Sequence, residues 1–129
     1  MIDGIHHVGF TVRDLEKSVG FYRAVLEGRI VSEREADGGY LATLTAYPGV
    51  RFRQVILAVG TDLLELIEYS EPRAEPSDAS KNRPGTGHAC YRVDDLAAVH
   101  ARALFAYDPD GIAIEFLQSA HGPAERRQP

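Results

Sequence analysis

Apolar and polar positions alternate in blocks along this chain, and their period changes between that of a strand and that of a helix. Residues 5–12 are short, β-branched and apolar, the pattern of a strand. Asp14 then stands where a helix N-cap belongs. Leu15, Val19, Tyr22 and Leu26 follow at helical spacing, with Phe21 and Val25 beside them and Gly28 placed to stop the helix. Residues 40–46, 52–59 and 63–69 read as three further strands, with Pro48-Gly49 and Gly60-Thr61-Asp62 as the turns between them. The predicted order is β-α-β-β-β. Residues 70–87 hold Pro72, Pro76 and Pro84 among several charges and show no apolar period, which predicts a linker or a long surface loop.

The chain also matches itself. His7-Val8-Gly9-Phe10-Thr11-Val12-Arg13-Asp14-Leu15 and His88-Ala89-Cys90-Tyr91-Arg92-Val93-Asp94-Asp95-Leu96 share H-x4-V-x-D-L at an offset of 88 − 7 = 81. Leu64-Glu65-Leu66-Ile67 and Ile114-Glu115-Phe116-Leu117 match more loosely, at 115 − 65 = 50. Each half thus begins with a histidine, a strand, an aspartate and a helix, and ends with a strand that carries a glutamate. The organisation expected is a first module over 1–69, the linker 70–87, a second module over 88–119 and a polar tail over 120–129.

Strand alternation shows why those four residues stand out. His7 shares a face with Ile5, Gly9 and Thr11, and His6 points the other way. Glu65 shares a face with Leu63 and Ile67, and Glu68 lies opposite; a register slip of one would exchange the two glutamates. Glu115 has Ile114 and Phe116 facing away from it. A lone imidazole or carboxylate among apolar side chains is costly unless it is paired or bound to a cation. Four such groups gathered by a repeat would leave two carboxylates repelling each other, and a divalent cation resolves that conflict. Two nitrogens and two oxygens suit Zn, Ni, Co, Mn or Fe without choosing among them. Taken singly, a strand histidine is more often a surface or core residue than a ligand. Cys90, on the face of His88, reads as a small core or pocket residue. His6, His100 and His121 have no repeat partner and read as structural or exposed. Asp108-Pro109-Asp110-Gly111 has Pro and Gly where a type I turn wants them, so its carboxylates read as turn formers.

Composition narrows the partners. At 129 residues the chain is one domain or two small modules, and its 44 % hydrophobic and 26 % charged residues are those of a globular protein. A net charge of −5 speaks against nucleic acid or an anionic membrane as partner. The single cysteine excludes an internal disulfide and fits a reducing compartment. Without a signal sequence or a membrane-length apolar stretch, a cytoplasmic location is expected.

The first motif with Ser18 and Phe21-Tyr22, then Gly87-His88, then Asp108-Pro109-Asp110-Gly111 with Ile114-Glu115, resembles the vicinal oxygen chelate superfamily. That superfamily holds glyoxalase I, bleomycin-resistance proteins, extradiol dioxygenases, fosfomycin-resistance enzymes and methylmalonyl-CoA epimerase. The resemblance implies an α+β fold of paired βαβββ modules, with an open cup of mixed β-sheet around a metal site. It implies metal ligands at His7, Glu65, His88 and Glu115. It also implies a small-molecule substrate and a homodimer, in which residues 70–87 could span subunits so that first-half ligands of one chain meet second-half ligands of the other.

A complete His, Glu, His, Glu set is similar to glyoxalase I and in part to the epimerases. The resemblance then implies a metal-dependent lyase or isomerase that removes a proton next to a carbonyl, with an enediolate or enolate held on the metal and Glu115 as base. Thr11 and Tyr69 stand where glutathione-using members typically carry arginine and asparagine, so the substrate is not expected to be glutathione-linked. The short Asp-Pro-Asp-Gly turn departs from the longer insertion of the epimerases. Two alternatives stay open: an extradiol-type dioxygenase using Fe(II) or Mn(II), with Glu65 swung away from the metal, and a drug-binding protein without turnover. One spacing is odd. His7 to Glu65 spans 65 − 7 = 58 residues and His88 to Glu115 only 115 − 88 = 27, with no helix stop after Leu104. Leu104 and Phe105 are therefore expected not to be joined by an ordinary peptide bond, a loop of the pocket wall belonging between them.

Overall fold

The computed structural model describes residues 1–102 and 107–118. Contacts divide the chain into two units, Met1–Ser77 and Asp78–Pro129. The first runs β1 (Val8–Thr11), α1 (Leu15–Leu26), β2 (Arg29–Asp37), α2 (Gly39–Thr45), β3 (Arg51–Val59) and β4 (Asp62–Glu71). Its sheet has the order β1-β4-β3-β2, in which β1 pairs with β4 in parallel and the other neighbours are antiparallel. The first and last strands of the unit therefore lie side by side, with α1 as part of the crossover between them.

Helix α1 covers one face of this sheet. Val55, Leu57 and Val59 of β3 and Leu64 and Leu66 of β4 share that face and are buried together with Leu15, Ser18 and Tyr22 of α1. The Tyr22 ring stacks on Phe10 at 6.4 Å and meets Phe21 edge-on at 5.2 Å. Asp14 caps the helix by accepting from the Lys17 N–H at 3.0 Å. Glu27 ends it in the left-handed region at φ 56°, and the Gly28 N–H then donates to the Tyr22 carbonyl at 3.4 Å. A Cβ on Gly28 would lie 3.3 Å from that same oxygen, so the close approach favours glycine.

Residues 40–46, expected as a strand, are instead almost wholly α2, and β2 takes the strand position that the sequence reading left empty. Gly38 and Gly39 cause this. Their φ values of 48° and 53° turn the chain off β2 and start a helix whose end Thr45 closes by donating from Oγ1 to the Leu41 carbonyl at 2.8 Å. Tyr40 and Leu44 are exposed, so their apolar character reflects no strand face. β2 is an edge strand on which only Ala36 is partly buried. Its Glu33 and Glu35 pair with Arg53 of β3, which also meets Glu16 of α1.

In the second unit β5 (His88–Val93), α3 (Leu96–Arg102) and β6 (Ala113–Gln118) repeat the β1-α1-β4 arrangement, with β5 and β6 paired in parallel. The correspondence extends to single hydrogen bonds. Asp95 accepts from the Ala98 N–H at 3.1 Å as Asp14 does from Lys17. The Leu96 N–H donates to Gln118 Oε1 at 3.0 Å, as the Leu15 N–H donates to Glu68 Oε2 at 3.1 Å. Among the described residues, counterparts of β1, α1 and β4 make up this unit's regular structure. Leu104 and Phe105, where a chain discontinuity is expected, lie outside the described residues.

The segment expected as a linker divides between the units, and its second part is folded. Asp78 accepts from Ser80, through both N–H and hydroxyl, and pairs with Arg83 at 3.0 Å. Those Ser80 bonds hold its carboxyl below the ordinary aspartate range. Asp108 is buried and accepts from the Asp110 and Ile112 N–H groups at 2.9 and 2.8 Å, the turn-forming role expected of it. Among the described residues no helix is long and apolar enough to cross a membrane.

Candidate metal centre

The parallel β1–β4 pair sets the first half of the site. Gly9 lies opposite Glu65 in register, and His7 stands two residues before Gly9 on the same face. Imidazole and carboxylate are thereby diagonal neighbours, with His7 Nε2 3.3 Å from Glu65 Oε2. In the second unit Cys90 lies opposite Glu115, and His88 stands two residues before it. His88 Nε2 is 3.7 Å from Glu115 Oε2. One register rule has produced the same pair twice.

Glu65, and not Glu68, accompanies His7. Glu68 points to the α1 face, where it accepts from the N-terminal N–H of the helix. Glu65 points to the opposite face, its side chain only 13 % exposed. A hydrogen bond holds it there: Gln54 of β3 donates from Nε2 to Glu65 Oε1 at 2.5 Å. The absence of a side chain at Gly9 leaves room for Oε2, which a Cβ there would approach to 3.2 Å. Gln54 is itself buried and accepts from Arg34 Nε at 2.9 Å. His7 is supported too, since its Nδ1 and that of His6 lie 2.8 Å apart. With Nδ1 engaged, Nε2 is the nitrogen turned toward the carboxylate, the arrangement of a metal-binding histidine.

The donor chemistry suits a cation. A separation of 3.3 Å is longer than a good N–H···O bond, whose range is about 2.7–3.2 Å. It is close to the spacing of two ligands on a tetrahedral ion with bonds of about 2.0–2.1 Å. Within neither unit do three or more described His, Cys, Asp or Glu side chains gather around one point, so each unit offers a pair. Cys90 is exposed beside its pair, and His121 lies outside the described residues. Gly9, Gln54 and the supporting role of His6 were missed from sequence. The signal available for Gly9 was its place on the His7 face; Gln54 and Arg34 gave none, because the register of β2 against β3 is needed to bring them together.

A parallel strand pair bridged by a helix, with a His–Glu diagonal at its open face and repeated along the chain, defines a class of duplicated α+β proteins. Residues 4–104 match the family model of the Glyoxalase/Bleomycin resistance protein/Dioxygenase superfamily, and the chain belongs to that superfamily. The crystal structure of a glyoxalase family protein from Bacillus cereus aligns with 92 % of this chain and 95 % of its own, at TM-score 0.78 and 15 % identity. A glyoxylase/bleomycin resistance protein/dioxygenase domain from Frankia sp. EAN1pec aligns with 95 % of this chain and 96 % of its own, at TM-score 0.62 and 23 % identity. The fosfomycin resistance protein FosX from Listeria monocytogenes, in complex with Mn(II) and sulfate, aligns over 93 % and 95 %, at TM-score 0.64 and 16 % identity. These likenesses establish the fold. Comparison with curated proteins gives no significant match.

Proposed function

We propose that this protein is a metal-dependent lyase or isomerase acting on a small carbonyl compound, with His7, Glu65, His88 and Glu115 holding one divalent cation. The observation that carries this reading is the His–Glu pair formed twice at the same register, with Nε2 to Oε2 separations of 3.3 and 3.7 Å. The cation, when bound, supplies Lewis acidity toward a substrate oxygen. Glu115 takes the proton next to the carbonyl and returns it at the neighbouring atom. Its side chain is about half exposed (48 %), so a substrate hydrogen can reach it, while the more enclosed Glu65 is held by Gln54 in a binding role. The imidazoles bind through Nε2 and take no proton. An extradiol-type site would need Glu65 turned away, and its contacts with Gln54 and His7 oppose that.

Purified without added metal, the protein is expected to carry zinc or nickel and to isomerise small α-hydroxycarbonyl compounds. A free glutathione hemithioacetal, a catechol and fosfomycin, the last suggested by the FosX neighbours, complete the panel. Turnover of the catechol with oxygen uptake, or metal-independent ligand binding alone, would overturn the assignment.

A further inference from the structure

Glu65 does not stand alone on its face of the sheet. A polar row crosses the strands from edge to edge: Arg34 on β2, Gln54 on β3, Glu65 on β4 and His7 just before β1. The amide of Gln54 has two ends, and which one faces Glu65 decides whether it attracts or repels that carboxylate. Arg34 removes the choice. Its Nε–H can only donate, so the Gln54 oxygen must face Arg34 and the amide N–H must face Glu65 Oε1. Burial makes the arrangement hold, since at 5 % exposure Gln54 has little water with which to exchange either bond. One carboxylate oxygen is thereby occupied, and the other, Oε2, is left beside His7 Nε2.

From this geometry we infer that Gln54, oriented by Arg34, is a positioning residue that presents Glu65 to a divalent cation through Oε2 alone. The inference rests on the metal reading of the His7–Glu65 pair. Arg34 acts only through Gln54, so the two form one device whose contributions do not add. Among the described residues no carboxylate pairs with Arg34, so none competes with the Gln54 oxygen for its Nε–H.

Co(II) titration followed by visible absorption tests this in the full chain. Gln54→Met, of similar size, should weaken Co(II) binding about 10–100-fold, the usual cost of losing such a supporting partner. Arg34→Met, at an exposed position where folding is not at stake, should weaken it by a part of that factor. The double variant should bind no worse than Gln54→Met alone. Metal-free Arg34→Met should melt as the parent does, so that its loss of Co(II) affinity is read without a change in stability, which a purely structural role would move. Multiplying losses in the double variant, or unchanged affinity in Gln54→Met, would overturn the proposal while leaving the metal site standing. Failure of the parent protein to bind Co(II) would instead overturn the metal reading, and this inference with it.

Discussion

A methyl group at position 9 would lie 3.2 Å from Glu65 Oε2, so any side chain there makes that carboxylate oxygen give way by a few tenths of an ångström. Cys90 holds the corresponding place in the second unit, and there the pair stands at 3.7 Å against 3.3 Å in the first. Gly9→Ala is expected to displace the carboxylate and lower divalent-metal affinity about 10–100-fold, with the fold intact. Competition with a chromophoric chelator measures it, and unchanged affinity would show that the spacing of this pair does not depend on glycine at position 9. Glu115 carries a different burden. Glu115→Gln should reduce turnover about 10²–10⁴-fold if that carboxylate is the base. The comparison is made at equal metal content; a variant that keeps its metal and its full activity would take the role of base away from Glu115.

At the scale of elements, the fold depends on helix ends and one apolar face. Leu66 of β4, fully buried on the face that α1 covers, is expected to cost about 2–5 kcal/mol when cut to alanine, read from urea unfolding. A loss well below that would mean the face packs less tightly than its burial indicates. The cap at Asp14 makes a pH-dependent prediction. Hydrogen bonding to the Lys17 N–H, with the Lys17 ammonium beside it, holds the Asp14 carboxyl below its ordinary range. A lowered value means that the cap's contribution is complete above the ordinary aspartate range and disappears as pH falls through the lowered one. Asp14→Ala should therefore lower the melting temperature at neutral pH and leave it little changed in strong acid. The helix itself was legible because Asp14, the 3.6 period and the stop at residues 27–28 are local signals. β3 and β4 were legible for the same reason. β2 was not, because an exposed edge strand of Arg, Glu and Ser carries no alternation. α2 was misread because Tyr40, Thr43 and Thr45 favour strands, whereas two left-handed glycines decide the backbone.

For the whole molecule the organising fact is duplication with unequal halves. The offsets of 81 and 50 residues seen in the motifs also relate the capping aspartates and the Leu15–Glu68 and Leu96–Gln118 contacts, so the repeat read from sequence is a repeat of structure. The two His–Glu pairs were legible through it. Their supporting residues were not, since Gln54 and Arg34 meet Glu65 only by strand register. A homodimer is expected, with the first-half pair of one chain meeting the second-half pair of another; light scattering should then give twice 14.2 kDa. A monomer that binds metal through all four residues would refute that sharing. The central claim is that two pairs serve one cation, and the ratio of divalent metal to protein tests it most directly. Elemental analysis of protein purified without added metal should give one ion per chain, lost on His7→Ala and on His88→Ala alike. Two ions per chain, or an ion that survives either substitution, would contradict it.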